Sequence, residues 1–363
     1  MMTAHTYHNI YLLIVSILTM IAVHSYRNKD SFSLGMNLYD GLIPTSLLCF
    51  FMVLFIGMRP MGFGDMPLYA MSYESLLGRP FNFNWDVTNK LYDNFVPLIA
   101  SLGISAMGFF IICAFLYIGS STFACIKLFP KDSIMGLLVW LGSFSTFSYG
   151  TNGIKAGMAA SLFLIAIAMN DRGNKIWTIF FLLLSWGFHH SMVLPIVAYI
   201  ICKLIKNPKY YLWFWLFGVI IAALHFKGFQ YFFAGLSDEG GANYLLGDGE
   251  TVKTSILGGF RIDFILYSVV PIVIGVIAKR KRIVCSDCYY FILNLYTFLN
   301  SIWMLCMYAE FTNRIAFLSW LLYPIVLIYP FIREDWGETK YRTLSLVSVG
   351  SLCFTLFMNY IYY

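Results

Sequence analysis

IWTIFFLLLSWGFHHSMVLPIVAYIIC, residues 176–202, contains no Asp, Glu, Lys or Arg, and His189 and His190 stand near its middle. As one helix its 27 residues would run about 40 Å, more than the ~30 Å hydrocarbon layer requires. Two full spans need about 20 residues each, which the stretch does not hold. Basic residues flank both ends: Arg172 and Lys175 before it, Lys203, Lys206 and Lys209 after it. A segment anchored this way is expected to enter the membrane, turn, and leave on the side where it began. The turn then holds Gly187, Phe188, His189, His190 and Ser191. Each arm, about 13 residues, reaches roughly 20 Å, so the turn is expected within the outer half of the membrane. Polar groups at that depth are costly, which makes the turn a candidate site.

The rest of the chain agrees with a membrane setting. Of 363 residues, 60% are hydrophobic, 19% aromatic and only 12% charged. Soluble domains carry about 25% charged residues. Mean hydropathy is +0.73, which leaves an all-α polytopic membrane protein as the fold class. Met1–Tyr7 has no Lys or Arg, so the apolar run 8–25 reads as a span and not as a cleavable signal. The net charge of +6 is read as loop charge that orients the protein, with no nucleic-acid partner expected. Cys285-Ser-Asp-Cys288 is a lone CxxC; without a second ligand pair it reads as an incidental reduced pair.

Apolar segments fall near 8–25, 41–58, 97–124, 133–148, 154–170, 176–202, 210–226, 263–278, 289–309, 314–332 and 343–361. If 176–202 is a hairpin, 16 of the 24 Lys and Arg residues share one side, including Lys279-Arg-Lys-Arg282. The positive-inside rule then sets the orientation. The expected topology is ten full spans plus one re-entrant hairpin in a single membrane domain, residues 1–363, with both termini outside. Two long outer loops follow, 59–94 and 227–262, both rich in turn residues. Loops of this length in a compact protein are functional or disordered. Any chemistry is therefore expected on the outer face.

Several motifs sit at that level. Arg59-Pro-Met-Gly-Phe-Gly-Asp65-Met-Pro-Leu-Tyr69 follows the second span. The arginine can clamp a phosphate and the aspartate can take a proton or hold a sugar hydroxyl. The bland alternative is a boundary arginine beside an Asx turn. Asn152-Gly-Ile-Lys155 leads into a helix rich in Ala and Gly. A lysine in a first turn opposes the helix dipole and needs a compensating group, an anion being one candidate. The small residues by themselves suit close helix packing. His189 and Ser191 occupy the hairpin turn, where the imidazole is a base, a phosphate donor or a structural group. Arg261 and Arg314 each open a later span, near Asp263 and Glu310, with which each can pair. Arg59, Lys155, Arg261 and Arg314 all lie on the side that the charge bias disfavours, which suggests an anionic ligand there.

Together, Arg59…Asp65…Tyr69, Asn152-x-x-Lys155, Phe188-His189-x-Ser191 and Arg314 resemble the EpsG-like and Wzy-type polysaccharide polymerases, over roughly residues 50–330. Where the family usually has arginine, this chain has Lys155, which keeps the charge and loses the bidentate fork. His190 has no clear counterpart, so the resemblance attaches to His189. It implies a membrane glycosyltransferase of GT-C-like helical architecture. It further implies transfer of a glycan from undecaprenyl diphosphate onto another lipid-linked repeat unit, at the periplasmic face of a bacterial inner membrane. On that basis His189 and Asp65 are the expected catalytic residues. Arg59, Tyr69, Asn152, Lys155, Ser191, Arg261 and Arg314 are expected to bind pyrophosphate or sugar. No DxD motif appears in an outer loop, so the expected reaction is metal-independent and needs no cofactor. Implied partners are donor and acceptor glycans on undecaprenyl diphosphate, membrane lipids, and a chain-length regulator. Two rivals share parts of the pattern: a multispan acyltransferase that modifies a polysaccharide, and a lipid-linked glycan flippase or transporter. The topology has a direct check. A reporter fused at Lys206 is expected to read as cytoplasmic; a periplasmic signal there would remove the hairpin.

Overall fold

Long apolar runs in lipid satisfy their backbone groups only as helices or closed barrels, and this chain takes the helical solution. The computed structural model describes residues 3–27, 38–62, 64–234, 259–283, 286–309 and 312–362. Most of the loop expected over 227–262, together with Glu310 and Cys285, lies outside the described residues. Among the described residues every regular element is a helix. Residues 1–193 with 337–361 form one compact unit and residues 194–336 a second.

The first unit begins with α1 (Ala4–Arg27), α2 (Leu38–Gly57), α3 (Met66–Glu74), α4 (Tyr92–Ser101) and α5 (Ala106–Ala114). A π-helical turn, Phe115–Gly119, joins α5 to α6 (Ser120–Leu128). Next come α7 (Ser133–Leu141), α8 (Thr146–Thr151), α9 (Ile154–Asp171) and α10 (Lys175–Phe188). The second unit holds most of α11 (Val193–Leu204), then α12 (Pro208–Ala223), α13 (Gly228–Ala234), α14 (Ile262–Arg280), α15 (Asp287–Leu305), α16 (Thr312–Trp320) and α17 (Tyr323–Arg333). The last helix, α18 (Lys340–Tyr362), returns to the first unit.

Among the described residues, six helical stretches are long and apolar enough to cross a membrane: Ala4–Tyr26, Ala106–Leu128, Ile154–Asp171, Ile262–Arg280, Thr312–Arg333 and Gly337–Ile361. Four shorter apolar helices accompany them: Gly41–Gly57, Lys175–Phe188, His190–Leu204 and Pro208–Ala223. The expected segment 97–124 shifts to 106–128, because Gly103 takes φ +72° and Ser105 caps a new helix by accepting the Gly108 N–H. The segment 133–148 breaks after Leu141. The carbonyls released there are not left bare: Tyr11 donates to Leu141 at 2.6 Å and Thr355 to Gly142 at 2.8 Å. α15 is 19 residues long but buries Asn294, Thr297, Asn300 and Ser301.

In the first unit α9 is the central post, buried along almost its whole length and packed against α6 and α10. Its small residues permit this, since a Cβ on Gly157 would meet the Tyr149 carbonyl oxygen at 2.7 Å. In the second unit Asn300 ties four helices together. It accepts from Trp215 at 2.7 Å and donates to Ser268 and Ser319 at 3.1 Å each. Every partner is buried, so this polar node is satisfied within the helix core, as packing in an apolar medium demands.

Close backbone approach makes a stability prediction. A Cβ on Gly57 would lie 2.7 Å from the Ile111 Cα. Gly57→Val is expected to destabilise the first unit by about 1–3 kcal/mol, read as a lower unfolding temperature in detergent. Gly350→Ala, whose Cβ meets nothing within 4 Å, is the matched control and is expected to be neutral or slightly stabilising.

Candidate functional site

The uncharged stretch 176–202 breaks at His189. α10 ends at Phe188, His189 is extended (φ −151°, ψ 121°), and a 3-10 turn, His190–Met192, leads into α11. The chain leaves α10 through Gly187, whose carbonyl accepts the Leu91 N–H at 2.8 Å. A Cβ at Gly187 would strike the Leu91 side chain at 2.5 Å, so the break docks closely on the start of α4. Buried Asn89 completes the junction. Its Oδ1 accepts the His190 N–H at 3.0 Å and lies 3.2 Å from His190 Nδ1. Asn89 in turn is held by Asp93, which accepts its backbone and side-chain N–H groups.

The two histidines thus differ. His190 locks the break to Asn89. His189 caps the 3-10 turn, its Nδ1 accepting the Ser191 N–H at 3.2 Å with the Ser191 hydroxyl 2.7 Å away. A backbone N–H can only donate, so Nδ1 carries a lone pair and the neutral ring holds its proton on Nε2. In this arrangement His189 presents a donor, not a base.

Next in sequence beyond Asn89 and Leu91 stands Tyr92. Its side chain is 5% exposed, and its hydroxyl has no hydrogen-bond partner among the described residues. Lys155 Nζ lies over the Tyr92 ring, 5.4 Å from its centroid. That ring face eases the burial of a cation in the first turn of α9 without cancelling its charge. Burial above all raises the proton affinity of the Tyr92 hydroxyl; Cys113 and Tyr69 add to the rise, and the nearby Arg59 charge opposes it. The structure therefore gathers Arg59, Tyr69 and Lys155 about Tyr92, a residue the motif reading did not single out. A lone tyrosine in an aromatic-rich chain gives no signal of that kind.

Arg59 is 1% exposed. Its donors go to the Ile56 carbonyl at 2.8 Å and to the Met66 sulfur at 2.9 and 3.3 Å, and the guanidinium lies 4.7 Å from the Phe110 ring centroid. Among the described residues no carboxylate pairs with it. Burial lowers its proton affinity, pKa down to about 10, so it stays charged at neutral pH. Asp65 caps α3 without a side-chain bond, and its carboxylate is exposed. Its backbone N–H donates to Asn152 Oδ1 at 2.9 Å, which ties the 59–69 and 149–155 motifs together. Gly64 makes room for this bond: its φ is +37° and a Cβ would meet Asn152 Oδ1 at 2.4 Å.

The second unit holds the remaining two arginines of the motifs. Arg261 caps α14 and grips Asp263 bidentately, at 2.6 and 3.0 Å, so its fork is already engaged. Arg314 is exposed on α16.

A family profile described as the EpsG family matches residues 42–363. The chain belongs to the EpsG family. The match spans both compact units and every motif residue named above. With six long apolar helices among its described residues, this EpsG family member is a multi-pass membrane protein. No curated protein and no solved structure matches it.

Asn89 is the residue on which the broken helix rests. Asn89→Ala leaves the His190 N–H without its acceptor, at an expected cost of about 1–3 kcal/mol. Amide exchange at 187–191 is expected to accelerate, while exchange in α15 stays unchanged; equal protection in both proteins would show that the bond does not hold the break.

Proposed function

We propose that this protein polymerises undecaprenyl-diphosphate-linked oligosaccharide repeat units into an O-antigen or capsule-type polysaccharide. The reaction takes place at the periplasmic face of a bacterial inner membrane. The observation that carries this reading is the pair of cations without carboxylates, Arg59 and Lys155, gathered about Tyr92 in a protein of the EpsG family. Buried or half-buried cations that lack counter-charges favour an anionic ligand. A lipid pyrophosphate supplies one at membrane depth.

In the proposed reaction an acceptor sugar hydroxyl attacks the anomeric carbon of the donor glycan. The new glycosidic bond forms as the bond from that carbon to the pyrophosphate oxygen breaks, and undecaprenyl diphosphate leaves with the electron pair. Lys155 and Arg59 offset the charge that develops on the leaving phosphate, a stabilisation greater in the transition state than before it. Arg59 reaches the phosphate once Met66 gives way, because a thioether is a weak acceptor that a phosphate oxygen outcompetes. His189 donates through Nε2–H to a phosphate oxygen. The exposed Asp65 carboxylate takes the proton of the acceptor hydroxyl. Tyr69 and Asn152 line the approach, and Ser191 fixes the His189 tautomer. Arg261, whose fork is taken by Asp263, and Arg314 belong to the second unit and are given no step in this reaction. The span count of ten, the hairpin and the GT-C-like arrangement belong to the same proposal.

Deletion of the gene is expected to leave surface acceptors carrying a single repeat unit. Full-length glycan would end the polymerase reading, complete loss of glycan would favour a flippase, and loss of acetyl groups alone an acyltransferase. At normal protein level, Asp65→Asn is expected to slow polymerisation about 10²–10⁴-fold. His189→Ala and Lys155→Ala are expected to yield the single-unit phenotype. Long chains from all three variants would remove the site assignment.

A further inference from the structure

A cavity of about 400 Å³ opens in the first unit between the start of α1 and the end of α18. Gly64 and Asn152 form one side of it, so it adjoins the turn that carries Asp65. His8 and Phe147 form an aromatic wall, their rings stacked at 4.1 Å and 10°. Ser148 and Asn359 add a hydroxyl and an amide. The Asn359 oxygen is buried and has no hydrogen-bond partner among the described residues, although its nitrogen donates to Asn9 at 3.3 Å. Apart from its histidines, the lining contains no charged residue type.

That chemistry selects the ligand class. A phosphate site needs cations; none lines this cavity, and Arg59 and Lys155 gather about Tyr92 instead. A neutral cavity with one open ring face of a stacked aromatic pair, amides and a hydroxyl suits a molecule with an apolar C–H face and a rim of hydroxyls. The volume falls in the range of small-molecule pockets, about 300–1,000 Å³, and holds a short piece of glycan, not a polymer. An unpaired buried carbonyl oxygen is a standing cost that a sugar hydroxyl removes.

We propose that this cavity is the subsite for the acceptor glycan, where Asn359 and Ser148 bind hydroxyls of a neutral sugar ring stacked on the His8–Phe147 wall. The assignment rests on the polymerase reading for the word acceptor, and on the cavity alone for the sugar. In this arrangement Asn152 joins the two sites. Its amide oxygen holds the Asp65 backbone at the cavity mouth, so a bound sugar is delivered beside the carboxylate that takes its proton.

The test uses purified full-length protein in detergent and one-repeat fragments of the strain's own surface polysaccharide, released by mild acid. Saturation-transfer NMR reports binding. Wild-type protein is expected to bind the fragment. Asn359→Leu and Ser148→Trp are expected to weaken it at least tenfold, while Gly350→Ala, on the same helix as Asn359, binds as wild type does. Unfolding temperatures confirm that each variant is folded; Asn359→Leu places an apolar residue in a membrane helix and is expected to fold. Equal binding by wild type, Asn359→Leu and Ser148→Trp overturns the subsite, as does absence of binding by wild type. Either failure leaves the polymerase reading to the chain-length phenotype of the deletion strain, which is scored separately.

Discussion

A helix interrupted in apolar surroundings must find partners for the backbone groups it releases, and at the break after Phe188 that requirement is met at one junction. Leu91 donates its N–H to Gly187, and His190 donates its N–H to Asn89. Remove the side chain of Asn89 and the His190 N–H loses this acceptor. Add a side chain at Gly187 and the junction cannot close without movement of Leu91. The same few residues, 89–92, also carry Tyr92, over whose ring Lys155 lies. One short segment thus sets the break in 176–202 and the surroundings of a cation on α9.

The arginines and Lys155 divide by how their charge is compensated. Arg261 is neutralised by its neighbour Asp263 in a bidentate pair, which explains its place at the start of α14 without a ligand. Arg59 and Lys155 are met by ring faces, a thioether and a carbonyl. Those contacts ease burial but do not cancel charge, since a cation over a ring gains about 0.5–2 kcal/mol and a lost hydration shell costs more. The second unit solves its polar problem in the opposite way. Asn300 distributes its bonds among Trp215, Ser268 and Ser319, a network that is internally complete and serves packing.

Much of this was legible from residue order. Charge-free runs between basic loops identify a polytopic helical membrane protein, and the length of 176–202 with paired histidines marks a break near its middle. The Gly-rich turn at Asp65 and the Asn152-x-x-Lys155 turn stood out because Gly, Asn and Asp have few other uses at a membrane boundary. Segment boundaries were less legible. The run 97–124 is apolar throughout, yet Gly103 turns the chain and Ser105 starts a new helix, an outcome of local backbone geometry that hydropathy averages away.

Composition and the length of the apolar runs decided the class of the protein, because backbone in lipid is satisfied only in helices or closed barrels, and charge-free runs of about 20 residues without alternation fit helices. Tertiary structure decided which polar groups matter, because each role depends on what lies within hydrogen-bond reach across long stretches of chain. His189 became a donor through the Ser191 N–H, and His190 became an anchor through Asn89, 101 residues away. Asp65 met Asn152 across 87 residues, and Tyr92 entered the candidate site only because α9 carries Lys155 over its ring. The His189–Ser191 contact is local and lies within its motif; the other pairings have neither period nor motif, since they are set by helix packing and not by neighbours in sequence.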